Sequence, residues 1–242
     1  DTRLRVSLTD AVSVAAGLYK TPFSAEYLLF RGDLPFLERS RVVNTLASKR
    51  QTGVSLRADL LPDRLRFDGG VFNGNGGQLR LNDNDSFLYV GRLSGTVPIT
   101  SGHLDLGVNA AHSNDEAVNL PTVPTPFEGR RSLLGLDARL QWKKWLLAAE
   151  GITAHFDATD GPSYRPAGYY VTLGYRLTSQ HQMLLRLDAL DDDRPTTDDQ
   201  EEMLVGYTFD WTDATKLQLN YSTPLNALAE GALGARLQLA LN

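Results

Sequence analysis

The side chains with most chemistry to offer in this sequence are its charges. Residues 20–50 carry Lys20, Arg31, Arg39, Arg41, Lys49 and Arg50 against Glu26, Asp33 and Glu38, six minus three or +3. The same stretch holds Phe23, Tyr27, Leu28, Phe30, Phe36 and Leu37, apolar anchors for which a dangling loop has no use. A second basic set, Arg57, Arg66, Arg92, Arg139, Arg176, Arg186, Lys216 and Arg236, alternates with apolar residues. Asp59, Asp68, Asp105, Asp137, Glu150, Asp188 and Asp210 occupy the same alternate positions, so eight basic groups stand against seven acidic ones. Charges taken out of bulk water must pair or stay hydrated. These two sets therefore form either salt-bridge networks in a wall or the lining of a water-filled passage. Arginine and lysine at a narrow, water-poor point favour the passage of anions.

Enzymatic chemistry has little to work with. The chain has no cysteine and four histidines, His103, His112, His155 and His181. His112-Ser113-Asn114 contains triad-type residues, but neighbours on a strand point in opposite directions. Gly74-Asn75-Gly76-Gly77 is a turn with no helix after it to cradle a phosphate. Asn82-Asp83-Asn84-Asp85 lacks the glycine and glutamate of a calcium loop. Residues 191–202 hold seven acidic groups and Arg194, a balance of -6 that reads as a solvated rim. The expectation is no enzyme, no cofactor and no metal centre. The net charge of -5, from 24 basic and 29 acidic residues, argues against a nucleic-acid partner.

The elements that position these charges follow from a period of two. Val54, Leu56, Ala58 and Leu60 alternate with polar residues, as do Leu104 to Ala110, Leu134 to Trp142, Tyr169 to Leu177, Met183 to Ala189 and Leu233 to Leu241. Each run fits a strand with one apolar and one polar face. Short turns at Leu61 to Arg64, Pro98 to Gly102, Lys143-Lys144, Thr178 to Gln180 and Thr212 to Ala214 alternate with longer loops at 20–50, 74–85, 113–130, 157–166, 190–201 and 222–231. Strands of roughly ten residues joined short, long, short, long describe a transmembrane antiparallel up-and-down β-barrel. Trp142, Trp145 and Trp211 beside the short turns, with Tyr207 and Tyr221 on the apolar faces, fit an aromatic girdle. Counting from Ala11 to Leu241 predicts twelve strands in a single domain. Fourteen is the alternative and sixteen a poorer fit. Leu4, Val6 and Leu8 form either a thirteenth strand, through a turn at Thr9-Asp10-Ala11, or an extension of the first. The mean hydropathy of -0.26 then reads as an apolar outer face cancelled by a charged interior and acidic loops.

One segment is more specific. It runs Gly17-Leu18-Tyr19-Lys20-Thr21-Pro22-Phe23, then Pro35-Phe36-Leu37-Glu38-Arg39-Ser40, then Val71-Phe72-Asn73-Gly74-Asn75-Gly76. In this order these elements resemble the phosphate-selective porin O and P family of bacterial outer-membrane channels. The resemblance covers residues 17–76, roughly a quarter of the chain. It implies a trimeric channel for small anions, normally of sixteen strands, with about four more strands before the motif; twelve remain after that subtraction, in agreement with the count from periodicity. The expectation is a porin in the bacterial outer membrane, surrounded by lipids and lipopolysaccharide. It passes small, phosphate-like anions by passive diffusion, with 20–50 folded into the lumen and Arg39, Arg41 and Arg50 at the eyelet. A homotrimer or an envelope-complex partner is compatible with it. The alternative is a plugged or narrow barrel acting as a scaffold subunit of such a complex.

Overall fold

The computed structural model describes residues 1–74, 86–120, 126–193, 200–212, 214–227 and 229–239. Asn82 to Asp85, Asn75 to Gly77 and Arg194 fall outside them. The described chain is one antiparallel sheet in which every strand pairs with its neighbours in sequence order. Thirteen strands make it up: β1 (Thr2–Ser7), β2 (Val12–Lys20), β3 (Arg50–Leu61), β4 (Leu65–Phe72), β5 (Leu88–Ile99), β6 (Gly102–Val118), β7 (Phe127–Trp142), β8 (Trp145–Ala158), β9 (Ala167–Arg176), β10 (His181–Asp191), β11 (Gln200–Thr212), β12 (Thr215–Pro224) and β13 (Ala232–Leu239). The all-β, up-and-down architecture is as expected, and all five short turns fall where the sequence placed them.

Two details differ. The count is thirteen where the sequence reading preferred twelve, because the first residues pair back on β2 from Thr2↔Leu18 to Ser7↔Ser13. The Thr9 hydroxyl makes that hairpin by accepting hydrogen bonds from the Ala11 and Val12 amides at 3.2 and 3.0 Å. The loop expected at 113–130 is also shorter. Pairing of β6 with β7 continues to Val118↔Phe127, across a shift in register after Asp115. Polar composition there masked an alternation that still builds a ladder.

The two faces of the sheet are opposites. Outward, Val54, Leu93, Val108, Leu136, Tyr169, Val171 and Leu187 remain exposed. Aromatic groups edge this band. Trp145 packs on Tyr175 with ring centroids 4.5 Å apart, and His181 stacks on Phe209 at 4.7 Å and meets the Tyr207 hydroxyl at 2.6 Å. Inward, Arg92, Asn109, Glu150, Thr172, Arg186, Asp188 and Gln218 are buried. A sheet that exposes its apolar side chains and buries its polar ones is inside-out relative to a soluble protein. No helix among the described residues is long and apolar enough to cross a membrane, which has no bearing on a span made of strands.

What buries the polar face is residues 20–50. They contain α1 (Ala25–Leu28), a 3-10 turn (Arg31–Asp33) and α2 (Arg41–Leu46). Phe23, Phe36, Val42 and Val43 are fully buried. The polar sheet face makes room for them with glycine. A Cβ on Gly206 of β11 would lie 2.9 Å from Phe36 Cε1, one on Gly168 of β9 3.0 Å from Val42, and one on Gly234 of β13 2.6 Å from Leu37. Overpacking of this kind costs about 1–3 kcal/mol. Gly206→Val is therefore expected to unseat the segment and raise trypsin cleavage after Arg31, Arg39 and Arg41 by about tenfold. Unchanged cleavage would show that the seat tolerates the extra volume.

Candidate pore constriction

The segment is held to the strands through its helix ends. The first amides of an α-helix have no partner inside it and carry a partial positive charge. For α1 the Glu26 amide donates to Glu150 Oε2 of β8 at 3.2 Å, and the Ser24 hydroxyl accepts from the Tyr27 amide at 3.0 Å. For α2 the Arg41 amide donates to Asp188 Oδ2 of β10 at 2.8 Å. Two inward carboxylates of the sheet thus serve as helix caps. The Glu26 carboxylate reaches both ways: it accepts from the Ser40 amide at 2.8 Å and pairs with Arg186 of β10 at 2.5 Å. Arg186 lies between the Phe36 and Tyr170 rings, 4.5 and 4.7 Å from their centroids.

Further along, Ser24 meets Asn109 of β6, Leu37 meets Asn220 of β12, and Gln218 Nε2 donates to the Leu34 and Pro35 carbonyls at 3.0 and 3.2 Å. Arg236 of β13 donates to the Phe36 and Leu37 carbonyls. Residues 20–50 therefore lie across the inward face from β6 to β13. The sheet curls around them.

The six basic residues of the segment divide by partner. Arg31 pairs with Glu38 at 2.7 Å and is largely exposed; Arg41 pairs with Glu202 at 3.0 Å and meets Gln200 at 2.9 Å. Arg50 pairs with Asp1 at 2.7 Å. Lys49 is exposed, without an ion pair among the described residues. Lys20 and Arg39 converge on the end of α1. Lys20 Nζ donates to the Leu28 and Leu29 carbonyls at 3.3 and 2.6 Å, and Arg39 donates to those of Glu26, Tyr27 and Leu29. Both stand over the Tyr27 ring, at 5.6 and 5.0 Å. The carbonyl end of a helix attracts cations, yet carbonyls do not cancel a charge. Among the described residues neither cation has a carboxylate partner.

The eight wall cations divide the same way. Arg57–Asp68 and Arg66–Asp59 stand at 2.6 Å, Arg92–Asp137 and Arg186–Glu26 at 2.5 Å, and Arg176–Asp210 at 3.6 Å. Arg139, Lys216 and Arg236 have no carboxylate partner among the described residues. Two further basic residues escaped the sequence reading. Arg3 and Arg5 of β1 point inward beside Arg57, and the Arg3 guanidinium lies 5.5 Å from the Tyr19 ring centre. The signal was present, since they alternate with the outward Leu4 and Val6. With Arg57 they outnumber Asp59 on the inward face of β1–β3, while Lys20 and Arg50 are register partners across the ends of β2 and β3 at the opposite parity.

The segment separates two cavities. One of about 110 Å³, on the long-loop side, is lined by residues 45–49 with Arg131 and Phe156. The other, of about 260 Å³, lies toward the short turns. On the outward face His112 Nδ1 lies 3.0 Å from Ser132 Oγ of the next strand rather than near Ser113, and no third group is bonded to His112 among the described residues. Nor do the described residues hold a group of three or more His, Asp or Glu placed to bind a metal ion.

Comparison with known proteins bears on the fold. No family model and no curated protein matches the chain. Solved structures do. OprB of Pseudomonas putida superposes with a TM-score of 0.68 and 12% identity over 99% of this chain and 72% of its own. The outer-membrane-expressed OmpT of Vibrio cholerae gives 0.61 and 12% over 91% and 68%, and the outer membrane protein OprD from Pseudomonas aeruginosa 0.57 and 13% over 98% and 66%. The fold is that of the bacterial outer-membrane β-barrels. At such identities the likeness is one of architecture: an antiparallel meander with its apolar face outward.

Proposed function

We propose that this chain builds the wall and the constriction of a porin in the bacterial outer membrane, through which small, phosphate-like anions diffuse passively. The observation that carries the reading is the pair Lys20 and Arg39, held by helix carbonyls with their charges uncancelled. They stand on the flank of the segment that carries Arg50, near the basic inward face of β1–β3. Where water is scarce, an uncancelled positive charge lowers the barrier for anions and raises it for cations. The paired wall cations serve as structural ties, and the segment narrows the passage. The outward apolar band with its aromatic edges suits lipid and lipopolysaccharide. The motif string of residues 17–76 supports the anion side of the reading, and the likeness to OprB and OprD supports the channel side. Diffusion through such a passage needs no catalytic step and no cofactor. One of the similar OmpT structures is a trimer form, and a homotrimer belongs to the same proposal.

The test is a reversal potential in a planar bilayer across a tenfold potassium chloride gradient. The expected sign is that of chloride preference; potassium preference would overturn the anion reading. A second reading, a plugged barrel serving as a scaffold in an envelope complex, draws support from the fully buried Phe23, Phe36, Val42 and Val43 at the centre of the segment. A membrane-inserted protein that passes no current would favour it.

A further inference from the structure

The cavity toward the short turns plays no part in the constriction described above. It measures about 260 Å³ and is roofed by Asp33, Leu34 and Pro35 of the segment. Its walls take inward residues from successive strands: Arg139 of β7, Arg176 of β9, Gln182 of β10, Thr208 of β11 and Lys216 of β12, with Lys144 from the β7–β8 turn. The five cations of the lining, Lys143 included, outnumber its two carboxylates, Asp33 and Asp210. Arg139 donates to the Gln141 amide oxygen, at 3.2 and 3.1 Å in the orientation that satisfies both side chains. Lys216 donates to the Gly32 carbonyl at 3.3 Å and Lys144 to the Leu177 carbonyl at 3.2 Å. Arg176 is shared between the Ser179 carbonyl at 3.0 Å and Asp210 at a loose 3.6 Å. Among the described residues the Gln182 and Thr208 side chains have no hydrogen-bond partner, and the two residues face each other across β10 and β11, between the Arg176 and Lys216 strands.

We infer that this vestibule binds a small hydroxylated organic anion, a carboxylate bearing several hydroxyl groups. Gln141 takes the Nε–Nη2 edge of Arg139, and the remaining Nη1–Nη2 edge can meet a carboxylate in two hydrogen bonds, with Lys216 and Lys144 adding charge around it. The Gln182 amide and the Thr208 hydroxyl are left for the ligand's own hydroxyls. Neither half suffices alone: a bare carboxylate leaves the two neutral groups unused, and an uncharged sugar leaves the cations unused. The volume lies below the roughly 300–1,000 Å³ of drug-sized pockets, which suits a ligand of a few carbons. The inference rests on the channel reading in one respect, that water and solute reach the cavity from the short-turn side, and it adds hydroxylated carboxylates to the phosphate-like anions of that reading.

Isothermal titration calorimetry of the detergent-solubilised protein tests it with gluconate, acetate and glucose. Gluconate is expected to bind about tenfold more tightly than acetate, the worth of two added hydrogen bonds, and glucose to give no heat. Arg139→Gln with Lys216→Gln is expected to weaken gluconate by about tenfold or more. Gln182→Ala with Thr208→Val is expected to bring gluconate down to the acetate level and leave acetate unchanged. Equal binding of gluconate and acetate by the unaltered protein, or gluconate binding indifferent to both pairs of substitutions, would overturn the site. Should the cation variant fail to fold, the neutral pair decides. Calorimetry requires no conduction, so the two readings fail separately. A conducting protein that ignores gluconate loses the vestibule and keeps the channel; one that binds gluconate and passes no current does the reverse.

Discussion

Arg186→Ala is expected to release residues 20–50 from the sheet and to raise single-channel conductance several-fold. Arg186 and Glu26 are 1% and 2% exposed at the side chain, and their 2.5 Å contact is the most buried ion pair among the described residues. Removing one member of such a pair costs about 3–5 kcal/mol, because the other charge is left without water and without a partner. Here the penalty is compounded. Glu26 would remain beside Glu150, whose carboxylate already accepts from the Glu26 amide, and the Phe36 and Tyr170 rings would lose the cation between them. The least costly escape is for the segment to leave its seat. Conductance in a planar bilayer reads this directly, and trypsin cleavage after Arg39 and Arg41 gives an independent measure. Glu26→Gln combined with Arg186→Met removes both charges and keeps the volume, and is expected to restore most of the closure. Unchanged conductance with a protease-resistant segment in Arg186→Ala would show that the glycine seat and the helix caps hold the segment alone.

Lys20→Glu together with Arg39→Gln carries the second large effect. The pair is expected to lower the chloride-to-potassium permeability ratio by about tenfold, enough to reverse the sign of the reversal potential. A unit charge at about 4 Å is worth roughly 4 kcal/mol at an effective dielectric near 20, and about 1.4 kcal/mol of barrier is a factor of ten. Partial exposure reduces the first figure and still leaves room for the second. Lys20→Met with Arg39 intact should fall between. Arg31→Gln, which breaks an exposed pair with Glu38, is the contrast, since surface ion pairs contribute little and the Arg31 charge is already cancelled by a carboxylate. A selectivity equally sensitive to Arg31 and to Lys20 would move the constriction away from α1.

The sheet was legible in the sequence because its signal is local. Period-two runs locate the strands, and Lys143-Lys144 between Trp142 and Trp145 marks a turn whatever happens elsewhere in the chain. The apolar anchors of residues 20–50 likewise announced a segment that packs on something. What the sequence could not resolve is which charge meets which. Arg31, Arg39 and Arg41 look equivalent in a list of loop cations. Arg31 finds Glu38 seven residues away, Arg41 finds Glu202 from β11, and Arg39 turns back onto carbonyls of α1. Partnerships between distant residues depend on the curl of the sheet, which no short window contains. The glycine seat was missed for another reason. Gly168, Gly206 and Gly234 sit at inward positions where a polar residue was expected, and a missing side chain draws no notice when attention is on charges. A strand-interior glycine on the polar face is the sign that something packs closely against it.

The seat also orders events in time. Residues 20–50 emerge between the second and third strands, yet the groups that hold them are made much later: Gln218, which grips Leu34, lies 184 residues downstream, and Arg236, which grips Phe36, lies 200 downstream. Contacts of such separation form late, after the loops they close have been ordered. While β12 and β13 are still unpaired, Phe36 lacks part of its seat, and the growing sheet carries a sticky, loosely seated passenger. The constriction is therefore completed only once β12 and β13 are in place, although its residues are synthesised before either of them. A chain arrested before β12 and β13 would be a wide, ungated wall rather than a smaller copy of the finished one.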